Sequence, residues 1–140
     1  MNTDRTESSI DIEHIAEASI INYFATIDRE EFGETAALFA EDGIMLAPFE
    51  SPIVGREAIA LYLAKEAKGM NLLPKEGVYQ PTEDNSFQIM VRGKVQTSLF
   101  SVNVAWYFNL NDQQQITTVK IKLLASPKEL LNLRESNISS

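Results

Sequence analysis

The sequence predicts an α+β fold in which N-terminal helices cap a curved, mixed and mostly antiparallel sheet, with a short helix at the C-terminus. The hydrophobic periods support this fold class, because apolar residues recur every third or fourth position in the first half and every second position in the second half. A length of 140 residues without a linker or repeat suits one domain. We place it at residues 9–134, between polar tails at 1–8 and 135–140 that we expect to be flexible.

Three helices are predicted before the long strands, at about residues 11–28, 30–40 and 55–68. The first helix is indicated by an apolar stripe at helical spacing. The stripe consists of Ile12, Ile15, Ala16, Ser19, Ile20, Tyr23 and Ile27. Asp42 and Gly43 form a turn signal that we expect to end the second helix.

The sheet is predicted mostly from residues 72–125, where apolar and polar residues alternate. The clearest alternation lies in residues 101–110, whose inner face carries five apolar side chains. These are Val102, Val104, Trp106, Phe108 and Leu110. Asn111 and Asp112 indicate a hairpin turn after this strand. A curved sheet capped by helices forms a cone with an apolar interior, which is a default position for a ligand site.

The last predicted element is a short helix from about residue 127. Ser126 is a favourable N-cap residue, Pro127 suits the first helical position, and Glu129 can complete a capping box. The leucines of this segment need an apolar surface to cover, and the preceding strand is the nearest one.

The composition argues against several classes of partner. The net charge of −8 opposes binding to nucleic acid or to anionic membranes, because the chain has no cationic surplus. No apolar run approaches the roughly 20 residues that a membrane-spanning helix needs. The N-terminus is polar and lacks the apolar core of a signal peptide, so we expect a cytoplasmic protein.

The sequence also gives little support to catalysis, so we predict a protein that is not an enzyme. Asp112 is the only acidic residue between positions 85 and 128, and we place it in a turn. Asp42 is the best remaining candidate for a base, but we interpret it as a residue at a helix end. His14 is the only histidine and there is no cysteine, which leaves neither a metal site nor a catalytic triad.

Two aromatic residues with polar tips lie on faces that should be buried. Tyr23 belongs to the apolar stripe of the first helix, and Trp106 points to the inner face of its strand. A buried hydroxyl or indole N–H without a partner costs about 1–3 kcal/mol, so each needs an acceptor. The residues alone leave two possibilities: acceptors within the core, or one acceptor, such as a carbonyl, on a bound apolar ligand.

These residues belong to a wider resemblance. From about Ile12 to Arg134 the chain resembles the C-terminal domain of the cyanobacterial orange carotenoid protein, and more closely the stand-alone homologues of that domain. The wider class is the nuclear-transport-factor-2-like, or SnoaL-like, cone fold. The strongest matches are NYFATIDREEFGETAALFAEDG, PFESPIVG, GKVQTS, VNVAWYF and IKLLASPKELLNLR.

The resemblance implies that the chain binds a ketocarotenoid, similar to canthaxanthin or echinenone. It implies that Tyr23 and Trp106 donate hydrogen bonds to the keto oxygen. The residues that it places along the tunnel are Val54, Leu72, Phe100, Ile121 and Leu123. It further implies a carotenoid carrier that delivers pigment to helical carotenoid proteins and quenches singlet oxygen in photoprotection, with the C-terminal helix as a mobile tail near the mouth.

The chain departs from this family at Leu99, where a tryptophan is common, and that change removes one aromatic wall. A carotenoid is nearly as long as the whole domain, so we also predict a homodimer that shares one pigment. Two other functions stay open on the sequence. One is an enzyme of the SnoaL or ketosteroid isomerase type acting on a small hydrophobic substrate, and the other is a dimerising module with an empty pocket.

Overall fold

The computed structural model of the protein describes residues 12–82 and 87–124. Helices lie in the first half and long strands in the second, which confirms the α+β prediction. The elements in chain order are α1 (Ala18–Asp28), α2 (Phe32–Ala37), β1 (Phe39–Leu46), β2 (Ile53–Val54), α3 (Arg56–Glu66), β3 (Asn71–Pro81), β4 (Phe87–Gln96), β5 (Ser101–Leu110) and β6 (Ile116–Leu124).

The strands form one six-stranded sheet in the order β2-β1-β6-β5-β4-β3. Strand β1 runs parallel to β6, and the other neighbouring strands are antiparallel. The sheet is therefore mixed and mostly antiparallel, as predicted. Strands β3 to β6 follow one another along the chain, whereas β1 reaches β6 across the whole second half of the sequence.

The core lies between the helices and the inner face of the sheet. Trp106 on β5 is paired with Val91 on β4 and with Ile121 on β6, which aligns three inward side chains in one row. Helix α1 packs on this face through Phe24, whose ring meets that of Trp106 edge-on at 4.7 Å between centroids. Burial of such large side chains stabilises the fold by about 1.5–3 kcal/mol each. Helix α1 is thereby fixed against the strand that carries Trp106.

The prediction for the first helix was wrong at its N-terminal end. The helix begins at Ala18 rather than near residue 11, and residues 12–17 lie along the edge of the sheet. The Glu13 N–H donates to the Lys75 carbonyl at 3.0 Å, and the Gly77 N–H donates to the Glu13 carbonyl at 2.9 Å. These bonds satisfy backbone groups that an edge strand would otherwise leave open, and they replace the first helical turns.

The prediction for residues 30–40 and the turn after them was also partly wrong. Helix α2 ends before Phe39, and β1 continues through Asp42 and Gly43. Phe39 is fully buried and pairs with Ile116 of β6, so tertiary pairing overrides the helical pattern. The register of β1 shifts in this region, and a Cβ atom on Gly43 would approach the Ile116 carbonyl oxygen to 3.0 Å. Gly43 therefore lies at an irregularity within strand β1, and it does not form a turn after helix α2.

Strand β3, at Asn71–Pro81, falls within the predicted sheet range of residues 72–125 apart from its first residue. It contains two prolines, which are compatible with its position at the edge of the sheet. The register against β4 shifts between Pro74 and Glu76. A side chain at Gly77 would clash with Ile15, so the glycine lets the segment 12–17 pack against the strand.

The remaining predictions differ in outcome. Helix α3, at Arg56–Glu66, agrees with the predicted 55–68 within two residues. The predicted C-terminal helix from about residue 127, the tails and the domain limits at residues 9 and 134 lie outside the described residues. Among the helices of the described segments, none combines the length and the apolar character that crossing a membrane requires.

Candidate functional site

An apolar cavity of about 430 Å³ lies between the inner face of the sheet and helices α1 and α3. Its volume falls in the range of small-molecule sites, roughly 300–1,000 Å³. The sheet wall follows the two-residue period of the strands, since Val102, Val104 and Trp106 are successive inward positions on β5. The opposite wall includes Tyr23 from α1 and Tyr62 from α3.

Six of the seven predicted site residues line this cavity. They are Tyr23, Leu72, Phe100, Trp106, Ile121 and Leu123. Val54 is not among the lining residues, because it lies on the two-residue edge strand β2, where its side chain is 56% exposed. It borders a separate shallow depression together with Gly55 and Leu61. The structure thus brings six residues together and leaves Val54 apart, while the role of all seven in ligand binding stays a prediction.

The lining residues differ strongly in exposure. Tyr23 and Trp106 are each 1% exposed, whereas Phe100 and Leu123 are 52% and 50% exposed. The cavity therefore has a buried end at Tyr23 and Trp106 and an open end at Phe100 and Leu123. An elongated apolar ligand would place one terminus against the two buried residues.

Tyr23 is held in place by aromatic packing. Its ring makes edge-on contacts with those of Phe24 and Phe108, each at 5.1 Å between centroids. Burial, with a smaller contribution from Tyr62, raises the pKa of the Tyr23 phenol far above its usual value. The phenol is therefore protonated across the physiological range and can donate a hydrogen bond. The indole N–H of Trp106 is also a donor, and it cannot accept.

Neither donor has a partner in the described part of the chain. Tyr23 Oη and Trp106 Nε1 make no hydrogen bond there, although both side chains are buried. Most buried polar groups in proteins are hydrogen-bonded, and each exception costs about 1–3 kcal/mol. Both donors belong to residues that line the same apolar cavity.

Glu66 is a lining residue that the sequence analysis missed. It is the only charged side chain among the described residues that line the cavity. Its position is consistent with helical spacing, since it follows the buried Ile59 and the lining residue Tyr62 at helical intervals. A carboxylate in an apolar stripe is usually assigned to solvent, so the spacing did not lead to a prediction that Glu66 lines a cavity.

The described residues offer little for acid–base or metal chemistry. Asp42 lies on β1 and not at a helix end as predicted, and it does not line the cavity. His14 lies in the edge segment 12–17 and borders a different depression. No group of three or more potential metal ligands occurs in residues 12–82 and 87–124. The cavity is thus equipped to bind an apolar molecule with a terminal acceptor.

Comparisons with known proteins relate the chain to one family. The Nuclear transport factor 2 (NTF2) domain family matches residues 15–121. The chain is 42% identical over 130 residues to the orange carotenoid-binding protein of Limnospira maxima, which covers 90% of this chain and 41% of that protein. It is 40% identical over 131 residues to the orange carotenoid-binding protein of Synechocystis sp. (strain ATCC 27184 / PCC 6803 / Kazusa), covering 91% of this chain and 41% of that one.

A solved structure agrees with these relatives. The Orange Carotenoid Protein of Anabaena (Nostoc) sp. PCC 7120, which binds canthaxanthin, superposes with a TM-score of 0.78 at 44% sequence identity. The match covers 88% of this chain and 40% of that one. The chain therefore spans about two-fifths of the length of the relatives that it matches.

Proposed function

Since the chain belongs to the nuclear transport factor 2 domain family and is homologous to the C-terminal domain of the orange carotenoid protein, we propose that it binds a ketocarotenoid in the apolar cavity. The observation that carries the proposal is the pair of buried donors without partners, Tyr23 and Trp106, at one end of that cavity. A keto oxygen has two lone pairs and accepts from both.

The proposed pose follows from the gradient of exposure. The ring that carries the keto group lies at the buried end, and the polyene runs past Ile121 toward Phe100 and Leu123. The apolar walls contribute about 25 cal/mol for each Å² of polyene surface removed from water. The keto group adds specificity, because a carotenoid without it leaves both donors unsatisfied. A canthaxanthin- or echinenone-like pigment fits these requirements.

The length of the pigment leads to the proposed assembly. A domain of this size has a radius of gyration of about 14 Å, so a rigid carotenoid is nearly as long as the domain and extends beyond a cavity of about 430 Å³. The open end presents apolar side chains to solvent, with Leu99 at 88% and Phe100 at 52% exposure. Phe49, next to the lining residue Pro48, is 96% exposed. A second copy that covers this rim and the projecting polyene gives a twofold homodimer sharing one pigment.

A shared, partly covered pigment suits transfer and not chemical turnover. The proposed role is a cytoplasmic carotenoid carrier that passes pigment to helical carotenoid proteins and quenches singlet oxygen. Among the described residues, the buried end of the cavity offers a phenol and an indole but no carboxylate or imidazole to act as a base. We therefore assign no enzymatic reaction to the site.

The test is production of the protein in cells that make ketocarotenoids, followed by size-exclusion chromatography with absorbance detection. The expected result is a coloured dimer with about one pigment for every two chains. Production in cells whose carotenoids lack keto groups is the matched control, and it should yield much less pigment. Colourless protein from the first cells, or a coloured monomer with one pigment per chain, would contradict the proposal.

A further inference from the structure

The lining of the cavity includes one carboxylate, Glu66, that has no ion-pair partner among the described residues. Glu66 ends helix α3 and is exposed there, while still lining the cavity. The ion pairs among the described residues are Arg29–Glu31 and Arg92–Glu76, so Glu66 has no cationic partner within them. The overall net charge of −8 offers no general compensation.

The neighbourhood of Tyr62 supports the same conclusion. Tyr62 also lines the cavity and is one helical turn before Glu66 on α3. Burial raises the pKa of its phenol, and the nearby carboxylates of Glu50 and Glu66 raise it further. Two carboxylates therefore lie close enough to this lining residue to act on it.

We propose that Glu66 makes the cavity selective for uncharged apolar ligands by disfavouring those that carry a carboxylate. This inference deepens the proposed function, on which it rests for the ligand class. An apolar acid has two ways to enter the cavity, and both are unfavourable. With its carboxylate at the buried end, the charge loses water and meets no cation. With its carboxylate toward solvent, the charge is repelled by the exposed carboxylate of Glu66 on the same lining.

The selectivity matters because an apolar cavity binds any apolar chain of suitable width. Fatty acids and other apolar acids match its walls as well as a polyene does, so the walls alone do not discriminate. A neutral ketocarotenoid has no charge for Glu66 to repel, and its carbonyl meets the two buried donors. The donors select for an acceptor at the buried end, and Glu66 selects against an anion at the exposed part of the lining.

The experiment compares two ligands, all-trans-retinoic acid and its methyl ester. They differ in the charge of the terminal group and in one methyl group. Both have the same ring, polyene and terminal carbonyl, and binding is read from quenching of Trp106, the only tryptophan of the chain. Titrations of pigment-free protein are made at low salt and at about pH 8, where carboxylates are ionised. The readout is the ratio of the dissociation constant of the acid to that of the ester, which cancels effects of a substitution on packing.

The proteins compared are the wild type, Glu66→Gln, Glu66→Lys and the control Glu57→Gln. Glu57 lies on the same helix and is exposed, but it borders the shallow depression and not the cavity. We expect the ratio to fall about threefold to tenfold in Glu66→Gln, the scale of one like-charge contact near a surface. It should fall further in Glu66→Lys, stay at the wild-type value in Glu57→Gln, and shrink with added salt in the wild type.

Equal ratios in the wild type and Glu66→Gln would overturn the proposal, as would an equal effect of Glu57→Gln. Failure of the ester to bind any of the four proteins would overturn it too, because selection requires a neutral ligand that enters. The pigment content of the same proteins from ketocarotenoid-producing cells separates the two proposals. Pigment with unchanged ratios contradicts only the charge selectivity, and a charge-dependent ratio without pigment contradicts only the proposed function.

Discussion

Tyr23 and Thr26 lie one turn apart on helix α1, and both have buried hydroxyl groups, but only one of them has partners. Thr26 Oγ1 donates to the Asn22 carbonyl at 2.7 Å and shares a hydrogen bond of 2.6 Å with Thr35 Oγ1 on α2. Tyr23 Oη has no partner among the described residues. The hydroxyl of Thr26, which joins two helices, is thus hydrogen-bonded within the core. The hydroxyl of Tyr23, which borders the cavity, is not. This contrast is the basis for the proposal that the hydroxyl of Tyr23 serves a ligand.

The largest expected effect is on ligand binding, through removal of both unpartnered donors. The double substitution Tyr23→Phe and Trp106→Phe should weaken ketocarotenoid binding by about 2–3 kcal/mol, because the keto oxygen loses two buried hydrogen bonds. Pigment yield and the position of the absorption band measure the effect. Tyr107→Phe is the control, since Tyr107 on β5 pairs with Lys120 on β6 and does not line the cavity. Full pigment yield with an unshifted absorption band in the double variant would show that the two donors do not bind the keto oxygen.

A smaller effect is expected on the stability of pigment-free protein when the satisfied pair is broken. Thr35→Val keeps the shape of the fully buried side chain but removes its bonds to Thr26 and to the Glu31 carbonyl. The free energy of unfolding should fall by about 1 kcal/mol, the net contribution of such a bond. Urea unfolding followed by Trp106 fluorescence measures it. An unchanged midpoint would mean that the hydroxyl pair contributes nothing to the fold.

The smallest effect is expected from Tyr23→Phe in the same pigment-free protein. Removing a hydroxyl that has no partner also removes its desolvation penalty, so the free energy of unfolding should be unchanged or should rise by up to about 1 kcal/mol. The same urea titration gives the answer, with Thr35→Val as the comparison. If Tyr23→Phe destabilises the protein as much as Thr35→Val does, Tyr23 has an acceptor within the folded chain and the contrast between the two hydroxyls disappears.

The sequence predicts best those features that depend on local periodicity. Tyr23 and Trp106 were identified because a helical stripe and a strand alternation each determine which way a side chain points. The turn after β5 was likewise predictable, since Asn111 Oδ1 accepts from the Gln113 and Gln115 N–H groups at 2.9 Å each. These features require no knowledge of distant parts of the chain.

The features that could not be predicted depend on partners far away in sequence. The local sequence predicts a helix at Phe39, and only its pairing with Ile116 places it in a strand. The local sequence also predicts a helix at Glu13, and only its bonds to β3 place it at the edge of the sheet. Val54 came from the family resemblance alone, and its place on an exposed edge strand follows from pairing with β1. Glu66 was missed for another reason, because a carboxylate at helical spacing from apolar residues is usually assigned to solvent.

The parallel pairing of β1 with β6 has a consequence for how the protein folds. Strand β6 lies between β1 and β5, so the sheet stays in two parts until the last described strand is in place. Such long-range pairing slows folding, because a large loop must close before its contacts form. During synthesis β1 leaves the ribosome long before β6, and it has no link to strands β3 to β5 until β6 emerges. We therefore expect β1 to join the rest of the sheet only after β6 is made, which places the demand for chaperones on the segment that contains β1.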